Sequence, residues 1–304
     1  MRILTNAMRR HSGARRVDRG AIWAFTPVVA MVPFSLLALF LIWLPIGWAT
    51  PVRYWWFVVG FLVAGIGLFV RPIQVFVLTP LLGARRATLD EAAVIEPLWA
   101  QIAQANDLPA GRFVVRVLPS EELNAFACGG HLVVVTSYAV DELSQRQLRG
   151  VLAHELSHHL GLHTVAITIG HWLSAPVVLL ARIGFFLENV AHAAAGSFGR
   201  QSPLISALGN VVAAIVNGLS WIFTAALRGS DALANLVGHS SEYEADRRAV
   251  RMGFGRELAS ALRQVLAGGS GGRPIGWRAR LRASHPPART RVARIEALMR
   301  HPAR

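Results

Sequence analysis

The residues best equipped for chemistry are His154-Glu155-Leu156-Ser157-His158, two imidazoles four positions apart with a carboxylate beside the first. On a helix, positions i and i+4 share a face, so both imidazoles can reach one cation while Glu155 projects alongside as a base toward water. The pattern is short, so its meaning depends on what else can reach the same point. A catalytic zinc takes a third protein donor and leaves one position open. Glu242-Tyr243-Glu244-Ala245-Asp246 supplies a carboxylate downstream. Glu242 is the expected third ligand. Asp246 stands one turn further on, placed to orient a ligand histidine from behind. Glu244 points to another face and reads as solvated. The register H-E-x-x-H-x-x-G-x-x-H fails: Gly161 fits, but position 164 is threonine and His163 is one residue early. His159 and His163 are therefore expected as polar residues near the end of the helix.

The elements that must position these groups are partly legible. Ser144-Gln-Arg-Gln147 has capping-box spacing and opens a helix through Leu148, Val151 and Leu152. Two β-branched runs, Phe113-Val-Val-Arg-Val117 and Leu132-Val-Val-Val-Thr136, predict short strands. Gly129-Gly130 between Phe126 and Leu132 predicts a hairpin turn. Glu96-Pro97 reads as a helix start with proline at the first position, followed by a core face of Leu98, Trp99, Ile102 and Ala105. Residues 268–272 are glycine-rich and predict a loop.

Composition places this machinery at a membrane. Hydrophobic residues make up 53% of the 304-residue chain and charged residues only 16%, too few charges for an ordinary soluble domain. Residues 20–52 carry no charge, ample for a spanning helix and too long for the apolar core of a cleaved leader. Residues 54–70 form a second uncharged run, and apolar character resumes beyond Arg71 to Leu82. Trp43, Trp48, Trp55 and Trp56 flank the turn between them, as interfacial aromatics do. Residues 164–187 and 204–227 make a second apolar pair, readable also as a buried soluble hairpin.

The net charge is +14, all of it carried by arginine on the basic side. No zinc-finger spacing or RNP-type aromatic pattern accompanies it, so no nucleic-acid partner is expected. Arginines precede the first run and follow the second, with only Arg53 between. That bias puts the N-terminus and the segment after Leu82 in the cytoplasm, and an even number of later spans returns the C-terminal part there. The single Cys128 excludes an internal disulfide framework.

Four ordered motifs resemble the M48 family of integral-membrane metallopeptidases, nearer its HtpX branch than its Ste24 branch: Asn124-Ala-Phe-Ala127, Val151-Leu-Ala-His-Glu-Leu-Ser-His158, Ser241-Glu-Tyr-Glu-Ala-Asp246 and His285-Pro-Pro-Ala-Arg-Thr-Arg291. The resemblance implies a mainly α integral membrane protein with four candidate transmembrane helices and an α+β zincin-like catalytic domain. Its parts would be an N-terminal basic segment and hairpin (1–83), two catalytic portions (84–163 and 228–304), and an apolar hairpin between them (164–227). It implies one Zn2+ per chain, and polypeptide substrates, membrane or misfolded proteins, met at the cytoplasmic face of a bacterial inner membrane in quality control. It further implies that Asn124, Ala125, Phe126 and Ala127 form an edge strand for substrate backbone, and that His285 and Arg291 face the metal and stabilise the oxyanion.

Two other readings remain. An intramembrane protease would carry the histidine motif within a spanning helix, whereas polar residues and Arg149 lead into it here. A zinc-binding membrane sensor with little turnover would be expected to carry an external sensor domain.

Overall fold

The structure is a computed structural model that describes residues 23–161, 163–198, 203–267 and 286–301. The expected glycine-rich loop at 268–272 and His285 lie outside the described residues. The chain divides into two compact units. One contains Phe25–Ile66 and Ile167–Ala234. The other contains Gly67–Ala166 and the described residues from Asn235 onward.

In the first unit, α1 (Thr26–Ala49) is one uninterrupted helix despite Pro33 and Pro45 within it. Helix α2 (Tyr54–Gly67) follows after a short turn. The aromatics at that turn do more than sit at an interface. Trp43 donates to the Val52 carbonyl at 2.8 Å, and the Tyr54 hydroxyl donates to the Leu36 carbonyl at 2.8 Å. Trp172, on α7 (His163–Phe198), stacks on Phe61 with ring centroids 4.8 Å apart and donates to the Phe61 carbonyl. A Cβ at position 65 would collide with that indole, so Gly65 permits the approach. Met31, Ala38, Val177 and Phe223 form the small core of this unit.

Among the described residues, three helical segments are long and apolar enough to cross a membrane: Thr26–Ala49, His163–Leu187 and Gly209–Arg251. The last belongs to α8 (Pro203–Arg251). The second apolar run of the sequence is not one continuous span. It breaks between α2 and α3 (Arg71–Leu81), and the two count as a fourth crossing only if taken together. Arg71-Pro72 explains the break, since proline at the start of α3 cannot donate into a preceding helix.

The second unit holds a three-stranded sheet in the order β1-β3-β2, from β1 (Val114–Leu118), β2 (Ala125–Cys128) and β3 (Leu132–Thr136). Strands β1 and β3 are parallel, with Val114 opposite Leu132. Strands β2 and β3 are antiparallel, with Ala125 opposite Val135. The predicted hairpin turn is present, and Gly129 takes the left-handed φ of 62° that the residue type allows. The central strand β3 is buried along its length, which accounts for its unbroken β-branched run.

The helix that precedes the sheet in the chain corrects one expectation. Helix α4 (Leu89–Ala105) starts at Thr88, whose side chain accepts from Glu91 N while Glu91 bonds back to Thr88 N. Pro97 therefore lies inside the helix, not at its start. The capping box Thr88-Leu-Asp-Glu91 outranks proline as a start signal because it satisfies two otherwise orphaned donors. The buried face contains Leu98, Trp99 and Ile102 as expected, but Ala103 replaces the exposed Ala105.

After α5 (Ser137–Glu142) comes α6 (Gln145–Leu160), capped by Ser144 and Gln147 as the sequence predicts. Leu148, Leu152 and Leu156 are fully buried at successive turns, of order 2 kcal/mol each relative to exposure. They pack with Ile102, Phe113, Val117, Val133 and Val135 into one core. On the opposite side lies α9 (Gly255–Ala267), whose backbone at Leu258 occupies the space a Cβ on Gly150 would need. Helix α10 (Ala288–Arg300) completes the unit, with Ile295 buried against Ala249, Leu258 and Ala259.

Candidate metal centre

Every residue of α6 from Leu152 to His159 is buried. A helix buried all round is normally apolar, yet this stretch contains three histidines, a glutamate and a serine. Such groups are tolerated inside only when each finds a partner. Ser157 returns its hydroxyl to the Ala153 carbonyl at 2.8 Å. His159, expected as a polar residue at the helix end, is completely buried and bonds the Leu132 carbonyl at 3.0 Å and the Thr164 hydroxyl at 3.2 Å. It pins the helix to β3. His163 takes no place among the three metal-competent donors.

The remaining polar groups converge. His154 Nε2 and His158 Nε2 lie 3.2 Å apart. Glu242 Oε1 is 3.0 Å from His158 Nε2, and Glu242 Oε2 is 3.4 Å from His154 Nε2. A tetrahedral ion with bonds of ~2.0–2.1 Å spaces its donors by about 3.3 Å. Two imidazoles and one carboxylate at these separations fit such an ion, and the three residues are all buried.

Asp246 sits where its spacing predicts, with Oδ1 3.0 Å from His154 Nδ1. It therefore occupies the ring nitrogen opposite the one that faces Glu242, which fixes the orientation of the imidazole. Burial and the Arg291 charge push the His154 imidazole down, but hydrogen bonds to Asp246 and Glu242 outweigh them and lift it to about 9. Burial would raise the Asp246 carboxyl, and His154 and Arg291 together hold it below its ordinary value.

Arg291, from the first turn of α10, is buried in the same cluster. Its Nε and Nη2 reach Asp246 at 2.9 and 2.7 Å, and Nη1 reaches Glu242 at 3.1 Å. Nη2 also lies 3.2 Å from His154 Nε2. The guanidinium is thus engaged by the two carboxylates that hold the histidines. Burial disfavours its charge, but Asp246, Glu242 and Glu155 raise its pKa above the ordinary value. Glu155 itself is buried on α6. Glu244, two residues from Glu242, pairs instead with Arg247 and Arg251 at 2.9 and 2.7 Å, in the half-exposed position expected of it.

The sequence reading missed two supports. Arg248, also on α8, donates to the Ser157 carbonyl at 3.1 Å and fills the space beside Gly161. It locks the carboxylate-bearing helix to the last turn of the histidine-bearing one. Gln74, taken as part of an apolar run, is fully buried; it accepts from Gly130 N at 3.1 Å and donates to the Leu68 carbonyl. A polar residue inside an apolar stretch was the available signal.

Asn124 to Ala127 form or adjoin β2, which is an edge of the sheet. Thr136 N donates to the Asn124 carbonyl at 3.0 Å, so residues 124, 126 and 128 exchange bonds with β3. By alternation Ala125 and Ala127 turn their N–H and C=O groups outward. No strand pairs with that edge among the described residues. Burial pushes the neighbouring Cys128 thiol up to about 11, consistent with an inert side chain.

A model of Peptidase family M48 matches residues 90–299. The Protease HtpX homolog of Kineococcus radiotolerans is 25% identical over 308 residues, covering 95% of this chain and 98% of its own. That of Salinibacter ruber is 26% identical over 242 residues, 71% of this chain and 78% of its own. Protease HtpX of Nitrosococcus oceani is 30% identical over 193 residues, 60% and 64%. The crystal structure of Ste24p from S. mikatae matches with a TM-score of 0.53 at 17% identity, over 85% of this chain and 62% of that one. At that identity the likeness carries the fold alone.

Proposed function

Since this chain belongs to peptidase family M48 and is HtpX-like, we propose that it is a zinc-dependent membrane endopeptidase whose centre is His154, His158 and Glu242. The observation that carries the reading is the convergence of two buried imidazoles and a buried carboxylate at tetrahedral donor spacing. His154, His158 and Glu242 would hold the zinc, which when bound would supply Lewis acidity for activating water and polarising a scissile carbonyl.

The chain's own residues do the rest. Glu155 takes the proton of the attacking water and returns it to the leaving amine. Asp246 holds the His154 ring through Nδ1. Arg291 positions Asp246 and Glu242 and contributes positive charge where an oxyanion would form. His285 is assigned to the same task on its family motif. Ala125 and Ala127 offer outward backbone groups to an extended substrate, which would add as a strand to β2; recognition through main chain tolerates many sequences. Substrates are read as membrane or misfolded proteins, cleaved on the cytoplasmic side of an inner membrane in protein quality control. The arginine bias around the first two apolar runs supports that orientation.

Casein degradation by the purified full-length protein tests this. Activity should vanish with a chelator and return with zinc. Glu155→Gln should retain zinc and lose about 100- to 10,000-fold in rate, the range of a general base. A variant that loses zinc instead would show that Glu155 is a ligand, and chelator-resistant proteolysis would overturn the metal assignment. Zinc bound at full stoichiometry without turnover would favour the sensor reading.

A further inference from the structure

A cavity of about 600 Å³ in the sheet-bearing unit shares no residue with the metal centre. Its walls come from α3, β1 and the segment before α4, and three arginines line it: Arg71, Arg86 and Arg116. None of the three has a carboxylate partner among the described residues. The nearby Glu91 is taken by Arg85 at 2.6 Å and by Thr88 N. Burial and then the Arg86 charge hold Arg116 below its ordinary pKa, so these two cations disfavour each other. Three arginines around one cavity, Arg116 half-buried and Arg71 and Arg86 exposed, mark a place that stabilises an anion.

Two further observations give the anion a form. Thr79 also lines the cavity, and its hydroxyl oxygen is buried without a hydrogen-bond partner among the described residues. Val70 provides no side-chain cap to α3, which leaves the N–H groups of Arg71 and Ile73 uncapped, Pro72 between them having none. An oxyanion with several acceptor oxygens satisfies this set of donors. Adjoining it, α3 exposes Ile73, Phe76, Val77 and Leu81, with Phe76 82% and Leu81 73% exposed. These positions fall on one face at helical spacing. Phe76 belongs both to this face and to the cavity wall.

We propose that the cavity holds the headgroup phosphate of an anionic phospholipid, with the acyl chains along the exposed apolar face of α3. A free phosphate would use the arginines and leave the apolar face unexplained. A lipid uses both, and it is the anion present in abundance beside a chain with membrane-spanning helices.

The test is native mass spectrometry of delipidated full-length protein in neutral detergent, titrated with phosphatidylglycerol, phosphatidylcholine or inorganic phosphate. One phosphatidylglycerol should be retained at least about 10-fold more tightly than phosphatidylcholine. Each arginine removed should weaken retention about five-fold, so Arg86→Gln with Arg116→Gln should lose about 25-fold. Phosphatidylcholine should be unaffected, and Arg146→Gln, an exposed arginine elsewhere, should change nothing. Arg71→Gln alone, on an exposed side chain, gives the same reading if the double variant fails to fold. Equal retention of the two lipids, or selectivity that survives in these variants, overturns the proposal. So does displacement of phosphatidylglycerol by millimolar inorganic phosphate, which would mark a pocket for the free anion.

Discussion

Asp246→Asn separates a residue that organises the metal centre from one that merely pairs on the surface. Asp246 is 1% exposed and accepts from Arg291 at 2.7 and 2.9 Å and from His154 at 3.0 Å. Asparagine keeps one acceptor oxygen but turns an NH₂ toward the guanidinium, donor against donor. Breaking a buried ion pair costs about 3–5 kcal/mol, because the surviving charge loses its compensation. Glu242 still reaches Arg291 at 3.1 Å, so the lower end applies, about 3 kcal/mol for the metal-free protein. Zinc affinity should fall about 10- to 100-fold, as when a ligand histidine loses its orienting partner. Glu244→Gln, two positions away, breaks pairs to Arg247 and Arg251, whose side chains are 54% and 48% exposed. It should cost less than about 1 kcal/mol and leave zinc untouched. Denaturant unfolding of chelator-stripped protein in detergent gives the first quantity, and competition with a chromophoric chelator gives the second. Equal effects of the two substitutions would refute the argument, since they would make Asp246 an ordinary ion-pairing residue.

Three other outcomes follow from the same geometry. Glu242→Ala leaves two imidazoles and should strip zinc, while His163→Ala should not; the reverse result, read by metal stoichiometry, would remove the site from Glu242. His154 carries a proton below about pH 9 in the metal-free protein, so zinc binding at pH 7 should release about one proton and weaken as pH falls. Calorimetry in buffers of different ionisation enthalpy measures that release. Gly150→Ala should destabilise the protein by about 1–3 kcal/mol through overpacking against α9, read by unfolding with zinc present.

The legible parts were those whose signal is local. The histidine pair announces itself because four residues are one helical turn, and Ser144 with Gln147 marks the start of its helix within three residues. Strand β3 is a run of β-branched residues because both its faces are covered. Glu242 is legible as the downstream carboxylate that a third zinc ligand requires, and Asp246 by standing one turn beyond it. What escaped depends on contacts between distant segments. Nothing near Gln74 says that it will hold Gly130 N, 56 residues away. Nothing near Arg248 says that it will cap Ser157, 91 residues earlier. Pro97 misleads for the opposite reason: its local signal is real, but Thr88 and Glu91, nine and six residues upstream, make a stronger one. His159 misled because polarity suggests solvent, while a bond to Leu132 O and a ring contact with Phe113 at 4.9 Å hold it inside.

Charge balance ties the cluster together. Glu155, Glu242 and Asp246 are each 5% exposed or less, and Arg291 is the buried arginine among them, at 6%. Three formal negative charges meet one positive charge, so two positive charges are wanting. Buried carboxylates without compensation are costly, and proteins respond by taking up protons or cations. The raised His154 imidazole is the first response, a proton held where Asp246 and Glu242 both face it. A divalent cation is the fuller one: it supplies both charges at once and leaves the imidazoles neutral, the form in which nitrogen binds metal. The same accounting gives Arg291 a purpose that its place in a sequence motif does not reveal. Without its guanidinium the deficit would be three, and one zinc ion would no longer close it. Arg291→Ala should therefore leave a cluster that stays anionic even with zinc bound, less stable than the parent in both states. Restoring lysine at that position should recover part of the loss through charge, but not the paired contacts to Asp246 that require a planar fork.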